Sequence, residues 1–303
     1  MPGDALIIDK ISKNFGNLKA VDSLSASLPA GCIYGFLGPN GAGKTTTIRM
    51  IMDIIRPDSG QVRVLGESLI ERVRDRIGYM PEERGLYRKM TVRGVIAYIG
   101  TLHGMSKVEL DREIPRWLDE LELSDWVNNK VEELSRGMQQ KLQFIVTVIN
   151  GPELLILDEP FAGLDPLNLD RLKDIVLKLR EEGRTVIFST HMMEQAEKLC
   201  DYILLINKGE KVIDGTLEQV RAQYKSNTVL VELEGNGDFI EKLPMVAGAK
   251  KDGRKLDVSL VENTDPQEFL KAIVDKTRVL SFEVRVPSLH EIFVHLVGGK
   301  ADE

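Results

Sequence analysis

The run Gly38-Pro39-Asn40-Gly41-Ala42-Gly43-Lys44-Thr45 has the residue types and spacing of a phosphate-binding P-loop. Gly38, Gly41 and Gly43 carry no Cβ, so the backbone can turn tightly and aim successive N–H groups at one anion. Lys44 adds a positive charge for β- and γ-phosphates, and the Thr45 hydroxyl is a ligand for Mg²⁺. The helix that opens at Thr45 and Thr46 turns its positive dipole end toward the same phosphates. An apolar stretch at 31–37 precedes the loop and reads as a short buried strand, so the strand–loop–helix context is complete.

A P-loop alone serves kinases, GTPases and other ATPases, so further residues must decide among them. Leu154-Leu155-Ile156-Leu157-Asp158-Glu159 is an apolar strand that ends in two carboxylates, the pattern of a Walker B motif. An acid at the tip of a buried parallel strand emerges beside the P-loop, where Asp158 can hold Mg²⁺ directly or through water. Glu159 is then placed to act as general base on a water attacking the γ-phosphate. Shortly before that strand, Leu134-Ser135-Arg136-Gly137-Met138-Gln139-Gln140-Lys141 opens a helix with Ser135 as N-cap. Leu142, Ile145, Val148 and Ile149 form its apolar stripe, and its N-terminus is a second anion site.

With these runs in this order, the chain resembles the ATP-binding-cassette (ABC) ATPases over about residues 5–215. Their signature reads Leu-Ser-Gly-Gly-Gln; here Arg136 and Met138 depart from it, while Ser135 and Gly137 remain. The resemblance implies ATP and Mg²⁺ as ligands and a head-to-tail pairing with a second copy, or a related cassette. Ser135 and Gly137 would then close over the γ-phosphate held by the other subunit. It also implies that Phe15 stacks on adenine, that Asp165 of Gly163-Leu164-Asp165 belongs to the D-loop, and that His191 contacts γ-phosphate. Glu82 occupies the place of the Q-loop glutamine; an ionised carboxylate cannot donate a hydrogen bond but can accept one from a metal-bound water. Lys44, Glu159 and His191 form the implied catalytic set. The run from Ile77 to Tyr87 and the ending Pro287-Ser288-Leu289-His290-Glu291-Ile292-Phe293 are similar to the ABC-2-type exporter group, including sodium-extrusion ATPases.

The elements that must position these residues read as an α/β fold, a P-loop ABC cassette with a parallel core sheet. Strand-like runs at 5–11 and 24–28 suggest an antiparallel β lobe, and further strands are expected at 61–65, 76–80, 154–157, 186–189 and 202–206. Between about 90 and 150 helical periodicity takes over, predicting a helical subdomain, and another helix is expected at 167–182. The cassette is placed at 1–215, a linker at 216–227 and a small α+β domain at 228–303. That tail reads as strands at 228–234, 246–251, 255–261 and 279–286 with helices at 237–243 and 265–276, the βαββαβ order of a ferredoxin-like domain. A short helix at 288–296 follows. Asp252-Gly253 is the expected hairpin turn, and Leu230, Leu256, Val258, Phe282 and Val284 are its candidate core.

Forty basic against 47 acidic residues leave no basic excess for nucleic acid, so none is expected as a partner. Cys32 and Cys200 lie among apolar neighbours and read as reduced, buried thiols of a cytosolic protein. The N-terminus opens no signal peptide and no apolar run approaches the ~18–20 residues of a membrane span. The chain therefore reads as soluble when isolated and peripheral on the cytoplasmic side of the cell membrane. The resemblance implies a separate multi-span permease, contacted around 82–98, where Leu86, Tyr87 and Met90 mingle with Arg84, Arg88 and Lys89. The expected function is the ATP-hydrolysing subunit of an ABC transporter, an exporter. A non-transport ABC ATPase acting on a soluble partner, DNA or ribosomes stays open, but the long coiled coil or second cassette usual there is absent from this sequence. A small-molecule kinase or GTPase leaves residues 134–138 and His191 unexplained. Trp117 and Trp126 read as core, the charges at 71–76 as a solvated face, and His103, His290 and His295 as structural.

Overall fold

A computed structural model of the protein describes residues 3–298 apart from Leu69, Arg84, Lys225, Ser226, Asn236, Glu262 and Asn263. Arg84, expected on the permease-facing surface, and residues 299–303 of the expected tail domain lie outside the described residues. In chain order, β1 (Asp4–Phe15), β2 (Leu18–Pro29) and β3 (Ile33–Leu37) lead to α1 (Lys44–Ile51), β4 (Ser59–Val64) and β5 (Ile77–Met80). Then come α2 (Val92–Leu102), α3 (Lys107–Glu120) and α4 (Arg136–Val148). Alternation resumes with β6 (Leu154–Asp158), α5 (Pro166–Glu181), β7 (Thr185–Thr190), α6 (Met193–Leu199), β8 (Tyr202–Asn207) and β9 (Glu210–Thr216). The rest is α7 (Leu217–Gln223), β10 (Thr228–Leu233), β11 (Val246–Asp252), β12 (Lys255–Leu260), α8 (Pro266–Val274), β13 (Val279–Val284) and α9 (Leu289–Gly298). Two compact units divide the chain, Met1–Leu217 and Glu218–Glu303. Among the described residues no helix is long and apolar enough to cross a membrane.

In the first unit the central sheet runs β5-β6-β7-β3-β8-β9, parallel through β8, with β9 antiparallel at the edge. Every residue of β3, β6 and β7 is buried, which is why these strands are unbroken apolar runs in the sequence. Because β6, β7 and β3 are adjacent and parallel, their carboxyl ends deliver the three segments that follow to one edge of the sheet. Ligands of open α/β sheets bind at that edge.

A second sheet, β2-β1-β4, is antiparallel. Its first two strands span 12 residues each, longer than the runs expected at 5–11 and 24–28. Register shifts around Lys10 and Ser23, both with φ of 47°, break the alternation on which a strand reading depends. The helices between β5 and β6 pack around Trp117 and Phe144, whose rings meet edge-on at 6.3 Å. Trp117 is buried as expected; Trp126 is 36% exposed on a short 3₁₀ turn, so it is not core.

The second unit contains an antiparallel sheet in the order β11-β12-β10-β13. That is the strand order of a ferredoxin-like βαββαβ fold, with one change. The helix expected at 237–243 is only a 3₁₀ turn, Ile240–Lys242. Gly235, at φ 110°, and Gly237 weaken the start of the segment, and Pro244 holds Leu243 extended at its end, which leaves room for a single turn. The hairpin closes with Asp252 opposite Lys255 and Gly253 at φ 59°, so the loop is Gly253-Arg254, one residue later than expected. Leu256 and Val258 are core as expected, but on β10 the buried set is Val229, Val231 and Leu233 rather than Leu230. Phe282 is partly buried against that core, whereas Val284, on the edge strand, is 43% exposed. The stretch expected as a linker holds α7.

Candidate nucleotide-binding and hydrolysis site

The P-loop leaves β3 at Leu37 and enters α1 at Lys44. Gly38 stands at φ 150°, and a Cβ there would lie 2.2 Å from the carbonyl oxygen of Ile206. Gly43, the residue before α1, has φ 107°, and its Cβ would lie 2.5 Å from the carbonyl oxygen of Ala20. Only glycine fits both positions. The N–H of Gly209 donates to the Ala42 carbonyl at 2.9 Å, tying the loop to the β8–β9 turn. Asn40 and Gly41 at the loop's crest are exposed, while Pro39, Thr45 and Thr46 are half-buried.

Lys44 is buried, at 6% exposure. Its Nζ donates to the carbonyls of Gly38 at 2.8 Å and Pro39 at 3.2 Å and lies 3.7 Å from Glu159 Oε1. Burial pushes its pKa down; the carboxylates of Glu159, Asp158 and, last, Glu82 oppose that shift. An ammonium held among backbone carbonyls and acids in this way is preorganised to meet phosphate charge.

Asp158 is fully buried at the end of β6. One carboxylate oxygen, Oδ1, accepts a hydrogen bond from Ser189 Oγ. The other, Oδ2, is buried with no hydrogen-bond partner among the described residues. A buried carboxylate oxygen left unsatisfied is costly, and it fits a hard cation such as Mg²⁺ or one of its waters. The Thr45 hydroxyl belongs to the same donor class. Glu159 follows with a left-handed φ of 49°. Its Oε1 lies 3.0 Å from His191 Nδ1, so the ends of β6 and β7 set a carboxylate and an imidazole side by side, the carboxylate also facing Lys44. Glu82 is exposed past the end of β5, with a field that reaches Lys44.

Lys44, Asp158, Glu159, Glu82 and His191, separated by up to 147 positions in sequence (191 − 44), are thus brought together. Ser135 and Gly137 are placed otherwise. Ser135 is exposed and caps α4 by accepting from the Met138 N–H at 3.3 Å. The nearest atoms to a Cβ on Gly137 belong to Gly163 and Leu164, at 3.8 Å. Asp165 caps α5 by accepting from the Asn168 N–H, a bond that holds its carboxyl below the usual range. Phe15 is half exposed at the tip of β1, with Lys13 Nζ 5.9 Å from its ring centre.

Three side chains at the site carry no sequence signal that singles them out. Ser189 bridges Asp158 and the Glu159 N–H. Gln140 Nε2 donates to the Pro160 carbonyl at 3.1 Å, and Gln143 Nε2 to the Pro81 carbonyl at 2.8 Å. Both glutamines are buried on α4, which therefore braces the segments after β5 and β6 together.

Sheet, loop and acids define a P-loop ATPase cassette. A family model described as ABC transporter matches residues 21–162, and one described as the C-terminal domain of DrrA1-3-like ATP-binding proteins matches 215–297. Over 296 residues the chain is 41% identical to YhaQ of Bacillus subtilis, an uncharacterized ABC transporter ATP-binding protein, covering 97% of this chain and 98% of that one. Over 304 residues it is 33% identical to Nod factor export ATP-binding protein I of Paraburkholderia xenovorans, covering 98% of each. A solved structure of the ATP binding subunit of an ABC transporter superposes with a TM-score of 0.68 at 29% identity, covering 73% of this chain and 93% of that one. The chain belongs to the ABC transporter ATP-binding proteins, the ATPase subunits of these transporters, in the group with a DrrA-like C-terminal domain.

Proposed function

We propose that this protein hydrolyses Mg·ATP as one half of a head-to-tail pair of cassettes and drives an export permease from the cytoplasmic face of the membrane. The observation that carries this reading is Glu159, held 3.7 Å from Lys44 Nζ and 3.0 Å from His191 Nδ1, beside an Asp158 oxygen that has no hydrogen-bond partner among the described residues. Mg²⁺, held by Asp158 and Thr45 with Glu82 accepting from its water, would neutralise charge between the β- and γ-phosphates. The N–H groups of residues 40–45 and the Lys44 ammonium cradle the phosphates, and Phe15 offers its exposed ring to the base. Glu159 takes the proton of the attacking water, and His191 orients that carboxylate and meets the γ-phosphate.

Ser135 and Gly137 contact Met138, Gly163 and Leu164 rather than the P-loop of their own chain. An exposed helix N-terminus supports instead a role in closing a partner's site, and Asp165 lies in the same region through Gly163 and Leu164. Export is supported by the likeness to a Nod factor export ATP-binding protein and by the DrrA-like tail. The permease contact is supported by a groove of about 340 Å³ that includes Tyr79, Leu86, Tyr87, Val95 and Ile99. Its apolar lining suits a short helix of a membrane partner.

Glu159→Gln tests this reading. It keeps side-chain size and removes the base, so turnover should fall about 10²–10⁴-fold while ATP binding persists. The variant should run as a dimer with ATP and a monomer without it in size-exclusion chromatography with light scattering. Wild-type turnover in Glu159→Gln would overturn the assignment.

A further inference from the structure

β6 and β7 lie side by side, and their register sets Asp158 opposite Ser189. Ser189 is fully buried. Its hydroxyl bridges the two acids: Oγ donates its one proton to Asp158 Oδ1 and accepts from the Glu159 N–H at 3.1 Å. Two consequences follow for the acids. One oxygen of Asp158 is engaged, so the carboxylate cannot rotate freely and, among the described residues, Oδ2 is left without a hydrogen-bond partner. The Glu159 backbone, in a left-handed conformation at φ 49°, is anchored by the same atom. A non-glycine residue keeps such a conformation only where its surroundings over-determine it.

We propose that Ser189 is a positioning residue of the ATPase site, resting on the roles given above to Asp158 and Glu159. One hydroxyl fixes which Asp158 oxygen is offered to Mg²⁺ and sets the backbone from which Glu159 reaches toward the attacking water. An apolar side chain of similar size would fill the same space between the strands and do neither. The position is 30 residues beyond Glu159 (189 − 159) and is brought beside it by the parallel register of β6 and β7.

Ser189→Ala and Ser189→Cys test this, the second because cysteine preserves volume but is a weak donor and acceptor. The readouts are binding of a fluorescent ATP analogue titrated with Mg²⁺, binding without metal, kcat and KM, and the melting temperature. Both variants should bind nucleotide without metal within about twofold of wild type. The Mg²⁺ concentration at half-maximal binding should rise about 10–100-fold, with kcat falling over a similar range and KM changing less. A Ser189→Cys protein that titrates with Mg²⁺ and turns over like wild type would overturn the proposal, as would a change confined to the melting temperature. Glu159→Gln measured in parallel separates the two levels. If that variant is inactive while Ser189→Cys is unaffected, the role of Ser189 alone fails; if Glu159→Gln stays active, the underlying site assignment fails.

Discussion

Glu159 is reached from two directions, by a lysine from the P-loop and by a histidine from the end of β7. The two contacts have different consequences for catalysis. Lys44 is buried and its nitrogen already faces backbone carbonyls, so losing it should cost nucleotide binding. The His191 side chain is 51% exposed and touches Glu159 without belonging to the phosphate cradle. His191→Ala should therefore lower kcat by about 10²-fold and leave ATP affinity within a few-fold, as measured by steady-state kinetics and equilibrium binding. Loss of affinity in step with kcat would contradict this role. The residues of the loop were legible because Gly38 to Thr45 form one local run whose chemistry is complete in eight positions. Ser189, Gln140 and Gln143 were not, because each acts on backbone or carboxylate atoms that only the sheet register and the packing of α4 bring within reach.

At the scale of elements, the same contrast holds. β3, β6 and β7 are buried throughout and announce themselves as apolar runs, while the bulged β1 and β2 and the 3₁₀ turn Ile240–Lys242 hide in broken patterns. The Leu230 misassignment has the same origin, since a one-residue slip on β10 exchanges the two faces of a strand. α4 joins the elements functionally: its exposed N-terminus carries Ser135, and its buried face braces the chain after Pro81 and at Pro160. A push in the groove beside α2 and α4 would thereby reach both loops. Leu86→Asp places a charge in that groove, outside the nucleotide-binding residues. It should abolish co-purification with a polytopic membrane protein and leave basal ATPase activity within about twofold, since apolar packing drives helix-in-groove recognition. Retention of the membrane protein, or recovery of only soluble or ribosomal partners, would count against the permease reading.

At the scale of the whole molecule, every residue assigned to nucleotide chemistry lies in the unit Met1–Leu217, and the unit Glu218–Glu303 has its own core around Phe269 and Ile273. The central claim is that no single chain contains a complete hydrolytic site: the phosphate cradle and the Ser135 helix end must come from different copies. A mixing experiment tests it most directly. Lys44→Ala removes the phosphate lysine, and Ser135→Asp keeps a good helix cap while setting a negative charge against the partner's phosphates. Each protein alone should be inactive. Mixed in equal amounts, they should recover on the order of a quarter of the wild-type ATPase rate, because half of the dimers are mixed and each of those holds one intact composite site. A mixture as inactive as its components, despite verified exchange of subunits, would contradict the account.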